Sequence, residues 1–262
     1  MTPETPPNVR QVRRAFIEKR IDIHRAKIIE FGAFDYPTYS KAERNVTYVD
    51  FFSKAELAVL HNADTPERVK NAIEVDFVIK EADFAPLISE RFDLLIANHV
   101  FEHVPDAIRW LQNAEKILEP GTGRIFLALP HKNYTFDLLR PVSRLTDIIV
   151  AHEERLQLPS LQQLFESLYF YRPVRADHVW ADDGTLAKRL LQARYPNARA
   201  AWENAKVKLA HGERLDVHCH VFTLESAISL FQELKKADYT KLDVLDCVDV
   251  LPSMNEFHLL LG

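Results

Sequence analysis

The sequence predicts an α/β protein, a parallel sheet covered by helices on both faces. Three observations carry that prediction. Short apolar runs recur through residues 27–130, and they are apolar throughout rather than alternating, as strands buried on both faces are. Segments with helical spacing of apolar residues separate them, which is the rhythm of a sheet built by crossover connections. A turn pair, Pro120 and Gly121, stops one such helix directly before the run RIFLALP at 124–130.

Each element follows in order. Residues 1–11 are rich in proline and read as loose, and mixed apolar and basic residues over 12–25 predict an N-terminal helix. Its Arg13, Arg14, Lys19 and Arg20 offer cations to an anionic substrate, but a solvated helix face is the favoured reading. KIIEF (27–31) and VTYVDF (46–51) are the first two strands, with a helix over 53–60 that Ser53 and Glu56 open as a capping box. Residues 75–79 make a weaker third strand, FDLLIAN (92–98) a fourth, 107–118 an amphipathic helix and 124–130 a fifth strand. The alternation breaks at 131–218, where helical patches such as 186–195 and 200–209 lie among aromatics and histidines. Regular structure resumes with a strand or turn at 218–222, a helix over 224–236 capped by Thr223, and strands at 241–247 and 256–261. The domain reading is an N-terminal extension (1–26), a core (27–130 and 218–262) and a mainly helical insert (131–217).

Composition narrows the function. Thirty-three basic against 38 acidic residues leave a charge of -5, which argues against general nucleic-acid binding by phosphate neutralisation. Six glycines compare with about eighteen at average usage of roughly 7%. Neither a Walker loop nor a Gly-x-Gly-x-x-Gly turn is present, which disfavours common triphosphate and dinucleotide chemistry. Cys219 and Cys247 make no disulfide framework, and charge throughout the first 27 residues leaves no secretory core. No run approaches the roughly 18 apolar residues of a membrane helix. The expectation is a cytoplasmic protein without a membrane span.

In an open parallel sheet, ligands lie beyond the carboxyl ends of the strands, where strand order reverses. The residues to read there are Glu30, Gly32 and Ala33 after the first strand, and Asp50 and Phe51 after the second. Glu81 and Asp83 follow the third, and Asn98, His99, Glu102 and His103 the fourth. A carboxylate at Asp50 offers several lone pairs and no competing donor, so it suits both hydroxyls of a ribose. A pyrophosphate needs backbone amides converging from a glycine-rich turn. The first loop, Gly32 to Pro37, has one glycine and an acidic residue, so it suits a cationic nucleoside better than a phosphorylated one.

At these residues the chain resembles the class I S-adenosylmethionine-dependent methyltransferases. The carrying segments are IIEFGAFDYP (28–37), VTYVD (46–50), FDLLIANHVFEHVPD (92–106) and LEPGTGRIFLALP (118–130). HVFTLESAISLF (220–231) is similar to the segment opening the family's last helix. The resemblance implies a seven-stranded Rossmann-like sheet of order 3-2-1-4-5-7-6 with strand seven antiparallel, and S-adenosyl-L-methionine as cofactor. It implies Glu30 and Gly32 against the methionine part, with Ala33 beside them. Asp50, with Phe51, falls on the ribose, Glu81 or Asp83 near the adenine, and Asn98 and His99 at the methyl-facing end. The usual Asp/Glu-x-Gly-x-Gly of the family is reduced here to Glu-Phe-Gly-Ala-Phe. PHKNYTFDLLRP (130–141) resembles a subgroup found with surface-polysaccharide genes, which points to a sugar or glycan-precursor acceptor.

An alcohol acceptor must lose a proton, and histidine is the natural base near neutral pH. The candidates are His131, at the end of the fifth strand, and His99 and His103, four apart after the fourth. The insert, beside the acceptor face, offers Tyr134, Arg140, His178 and Trp180 for substrate binding, with Asp137 as a partner for Arg140. His218-Cys219-His220, with His152 and Glu153, invites a metal reading, but no spacing matches a zinc signature. No metal ligand is assigned. Two other readings stay open: a methyltransferase fold serving as a scaffold, and a metal-dependent hydrolase using the insert.

Overall fold

The computed structural model describes residues 8–61, 66–182, 185–192, 197–211 and 215–262. Helix α1 (Val9–Glu18) leads into β1 (Ile28–Phe31) and β2 (Val46–Asp50). Helices α2 (Lys54–His61) and α3 (Pro66–Asn71) precede β3 (Phe77–Val78), and β4 (Leu94–Asn98), α4 (Ala107–Ile117) and β5 (Arg124–Pro130) follow. Helices α5 (Leu145–Glu153), α6 (Leu161–Phe170), α7 (Ala176–Trp180), α8 (Leu186–Gln192) and α9 (Ala198–Ala210) come next. The chain closes with α10 (Leu224–Lys236), β6 (Val244–Val248) and β7 (Glu256–Leu261).

One seven-stranded sheet results, in the order β3-β2-β1-β4-β5-β7-β6. The pairs from β3 to β5 are parallel, while β7 runs antiparallel to both β5 and β6. This is the predicted sheet, with its order and single reversed strand. Alternation along β5 shows why its run had to be apolar throughout. Ile125, Leu127 and Leu129 enter the layer under α4 and α10, while Phe126 and Ala128 enter the layer that α1 covers with Phe16 and Ile17. Both layers exclude water, so neither face of the strand tolerates a polar residue.

Several expectations are corrected in detail. The N-terminal helix spans Val9–Glu18 rather than 12–25, because Asn8 accepts from the amides of Arg10 and Gln11 and so starts it inside the proline-rich stretch. Its arginines are not simply solvated: Arg13 is buried against Glu256, Arg14 pairs with Glu43, and Arg20 with Asp246. The third strand shrinks to two residues, since the Asp76 side chain takes the Tyr48 amide where a longer ladder would continue. The 218–222 segment makes a single bridge, Phe222 to His131. Its other amides go to loops, Cys219 and His220 to the Glu102 carbonyl and Val221 to Ser143 Oγ. Of the 186–195 patch, 193–195 lie outside the described residues. Within the insert, α5 packs on α4 and α10, and α6 pairs with α9 through Phe165, Tyr169 and Trp202.

Candidate functional site

Strand order reverses between β1 and β4, and a crevice of about 930 Å³ opens there at the carboxyl ends of β1, β2 and β4. Gly32, Ala33, Asp50, Phe51, Glu81, Asn98, His99 and His103 line it. The sequence had placed each of them at a strand end, and the sheet brings them to one rim. Gly32 has φ +67°, and a Cβ on it would stand 2.5 Å from Val100 Cγ2. Only glycine lets the loop after β1 meet the loop after β4 this closely. Phe34 and His99, on the same two loops, also have positive φ, 45° and 51°. Strained backbone of this kind persists where the surroundings dictate it, commonly at ligand sites.

The crevice floor is set by Glu30, which is fully buried and does not line the cavity. Its carboxylate accepts from the Thr38 amide (2.8 Å), the Thr38 hydroxyl (2.8 Å) and Asn98 Nδ2 (3.0 Å). Burial pushes the Glu30 carboxyl up to about 7, against the opposing pull of the Thr38 hydrogen bonds. Glu30 thus holds Asn98 and the first loop in place instead of meeting a ligand itself. Asp50 lines the crevice at the end of β2, where Oδ1 accepts the Phe52 amide at 3.0 Å. Apolar surface comes from Phe31, Phe84 and Trp110, whose rings lie 5.2–6.1 Å apart, and from the Phe51–Phe52 pair at 4.8 Å.

The rim beyond β4 carries a network of histidines and carboxylates. His99 Nε2 meets Glu256 Oε2 at 2.7 Å, and the same carboxylate receives Arg13 (2.5 and 2.9 Å) and His258 (2.8 Å). Burial alone would raise Glu256, but hydrogen bonds from His258, His99 and Arg13 hold it well below the usual carboxylate range. His103 turns Nδ1 toward Asp216 at 2.9 Å. Glu256 escaped the sequence reading, and Arg13 was read only as part of a basic helix face. They are 243 positions apart, and the signal for Glu256 was a charged residue opening the last strand.

Other expected site residues lie elsewhere. Asp83 lines a separate hollow of about 480 Å³ with Arg109 and Asn113. His131 does not line the crevice: Nδ1 accepts the Asn133 amide at 3.2 Å, its ring lies against Tyr134 and Phe257, and burial lowers its pKa. Tyr134 and Trp180 stack on each other at 4.7 Å, and the Trp180 indole donates to the Met254 carbonyl. His178 is exposed on α7. Arg140 is buried rather than at the surface, bonded to Asp137 (3.0 Å) and to the His218 carbonyl (2.9 Å), which leaves it holding the fold. His220 is buried beside Phe101 and Phe222 and does not share an extended face with His218.

A seven-stranded sheet of this order with a reversed last strand, and a crevice at its switch point, make a class I methyltransferase fold. The sequence pattern of the family described as "Methyltransferase domain" matches residues 14–242, and the chain belongs to that family. A ubiquinone biosynthesis O-methyltransferase from Hydrogenovibrio crunogenus is 28% identical over 135 residues, which is 50% of this chain and 54% of that protein. The chain therefore spans about half the length of this curated relative. Among solved structures, a Rhodobacter sphaeroides protein described as a Zn-dependent alcohol dehydrogenase is 15% identical, with a TM-score of 0.48, covering 98% of this chain and 90% of that one. The mitomycin 7-O-methyltransferase MmcR is 10% identical, with a TM-score of 0.41, covering 95% and 52%. Among the described residues no helix is long and apolar enough to cross a membrane.

Proposed function

We propose that the chain is an S-adenosylmethionine-dependent methyltransferase acting on an oxygen or nitrogen nucleophile of a small molecule, with a sugar or glycan precursor as the favoured class. The observation that carries the reading is the joint placement of Asp50 and Gly32 on the rim of one crevice. The residues present fit the cofactor. Asp50 supplies a ribose-binding carboxylate, Gly32 allows close approach of a ligand to backbone, and Phe51 and Phe52 offer an apolar surface to a base. Ala33, Glu81, Asn98 and His99 complete the pocket. Arg13, Arg68 and Lys80 also line the crevice but pair with Glu256, Asp35 and Glu56, so its acidic and apolar groups around a lone glycine favour a sulfonium and an amine over a diphosphate.

When bound, S-adenosylmethionine supplies an electrophilic methyl group. The chain's own task is then positioning and proton removal. Glu30 fixes Asn98, and Glu256 holds the His99 ring through Nε2, so the His99 imidazole on the crevice lining is placed to receive the proton that the acceptor loses. His99 takes this role ahead of His131 because His99 lines the crevice and His131 does not. The sugar class draws support from the resemblance of residues 130–141, and the histidine base suits a hydroxyl acceptor. Incubation with methyl-labelled cofactor and panels of saccharides, nucleotide sugars and phenols tests the reading. A labelled product one methyl heavier, lost in His99→Ala with cofactor affinity retained, is expected. Label transfer to none of the panels would remove the acceptor class, and full activity in His99→Ala would remove the base.

A further inference from the structure

We propose that Glu102, His103 and His218 form a binding site for a divalent transition-metal ion of the zinc class, at the acceptor end of the crevice. One ligand atom from each of the three lies within 4.8 Å of the others. They come from two distant segments: the turn after β4 and the chain just before α10. The cysteine between His218 and His220 stays out of the set, as does His220.

The first argument is Glu102. Its side chain is fully buried, and neither carboxylate oxygen has a hydrogen-bond partner. The histidine nitrogens that face it stand off at 3.5 Å (His99 Nδ1) and 3.7 Å (His103 Nε2), too long for hydrogen bonds. Burying an unsatisfied carboxylate is costly, more so than burying an unsatisfied neutral group. A cation between the carboxylate and the imidazoles supplies the missing partner.

The second argument is independent of the first. Metal-binding histidines present one ring nitrogen to the ion and tie the other to a carboxylate or carbonyl, which fixes the ring and raises its basicity. His218 Nδ1 is bonded to Asp137 at 2.5 Å, so the atom it offers the cluster is Nε2. Asp137 is itself anchored by Arg140, which explains why an arginine and an aspartate are buried there. His103 turns Nδ1 to Asp216 and Nε2 toward Glu102. The outer nitrogen of His218 is hydrogen-bonded to a carboxylate, and that of His103 stands 2.9 Å from the exposed Asp216 carboxylate.

Two imidazoles and one carboxylate suit Zn²⁺ and its neighbours rather than Mg²⁺ or Ca²⁺, which prefer all-oxygen sets. Three protein ligands leave a position open, as in catalytic zinc sites. That position lies toward the crevice, because His103 lines the cavity while Glu102 and His218 do not. An anionic or hydroxyl oxygen of the acceptor is the group that would fill it. Ion binding stands on this geometry alone; only the role toward the acceptor rests on the methyl-transfer reading.

The test uses the whole 262-residue chain, stripped with a chelator and titrated with Zn²⁺ by calorimetry and with Co²⁺ by visible absorption. The wild type is expected to take up one ion, with a Co²⁺ spectrum of low-coordinate nitrogen and oxygen ligands. Glu102→Gln keeps the shape and removes the charge, and is expected to weaken binding at least 100-fold while the metal-free protein melts no lower than the wild type. His103→Gln, at a half-buried position, is the second variant, with the same loss of binding expected. No stoichiometric uptake by the wild type, or equal uptake by wild type and His103→Gln, would overturn the site. So would a metal-free Glu102→Gln protein that melts well below the wild type, since Glu102 would then serve only as a counter-ion to the histidines. Binding of S-adenosylhomocysteine by the same stripped samples is read separately, so loss of the metal site and loss of the methyltransferase reading are distinguishable.

Discussion

Gly32 and Asp50 show how much of the site depends on single residues. A methyl group on Gly32 would meet Val100 Cγ2 at 2.5 Å while the backbone stays at φ +67°. Gly32→Ala is expected to lower stability by about 1–3 kcal/mol, from left-handed strain and the overlap together. Urea denaturation checks this, and a stability equal to the wild type would mean that the two loops part easily. Both residues were legible in the sequence because each follows a short apolar run, and ligands collect at such ends. Asp83 was misplaced by the same rule. The third strand is two residues long, so its end was poorly marked, and the side chain turns to Asn113 on another hollow. Glu30 was placed at the right strand end but on the wrong side of the crevice wall. Burial at a strand end depends on what the next loop does, and Thr38 closes that loop over the carboxylate.

Helix α10 illustrates what an element's own sequence can specify. Its span, 224–236, follows from Thr223 at the cap and the apolar spacing of Ala227, Leu230, Phe231 and Leu234, all buried against the sheet. Thr223 Oγ1 accepts the Ser226 amide at 3.2 Å, and Ser226 Oγ accepts the Thr223 amide at 2.9 Å. Thr223→Ala is expected to cost about 1 kcal/mol, read as a lower denaturation midpoint with an unchanged slope. Strand β5 was equally legible, an apolar run from Ile125 to Pro130, and so was β7, whose apolar residues Phe257 and Leu259–Leu261 flank only His258. The insert was not: α5 to α7 fall where aromatics, histidines and prolines interrupt helical spacing, and tertiary contacts decide. Helix α5 carries Ile148 into the layer shared with α4 and α10, a partnership 30 or more residues distant. The N-terminal helix was legible in kind and displaced in position, because the cap at Asn8 outweighs the prolines before it.

At the scale of the whole molecule, two buried groups oppose each other in their dependence on pH. Glu30 titrates at about 7 in the fold and near 4.5 unfolded, so the folded state holds the extra proton between those values and this contribution weakens as pH rises through them. His220, pushed down by burial to about 4 from 6.5, contributes the reverse: the unfolded state binds the proton, and stability is lost as pH falls from 6.5 to 4. The wild type therefore shows a muted profile in this range, and a single substitution exposes one side of it. The melting temperature of Glu30→Gln minus that of the wild type is expected to grow as pH rises from 4.5 to 7 and then level off. A difference that is flat or falling would mean that Glu30 is ionised throughout.

The crevice, as proposed above, is a nucleoside pocket without an anion cradle. Calorimetric titration of the wild type and Asp50→Ala with S-adenosylhomocysteine tests this most directly. Saturable one-to-one binding is expected, weakened in Asp50→Ala by roughly 1.5–3 kcal/mol, the worth of a hydrogen bond to a charged group. Absence of heat at millimolar ligand, or the same affinity in both proteins, would contradict it.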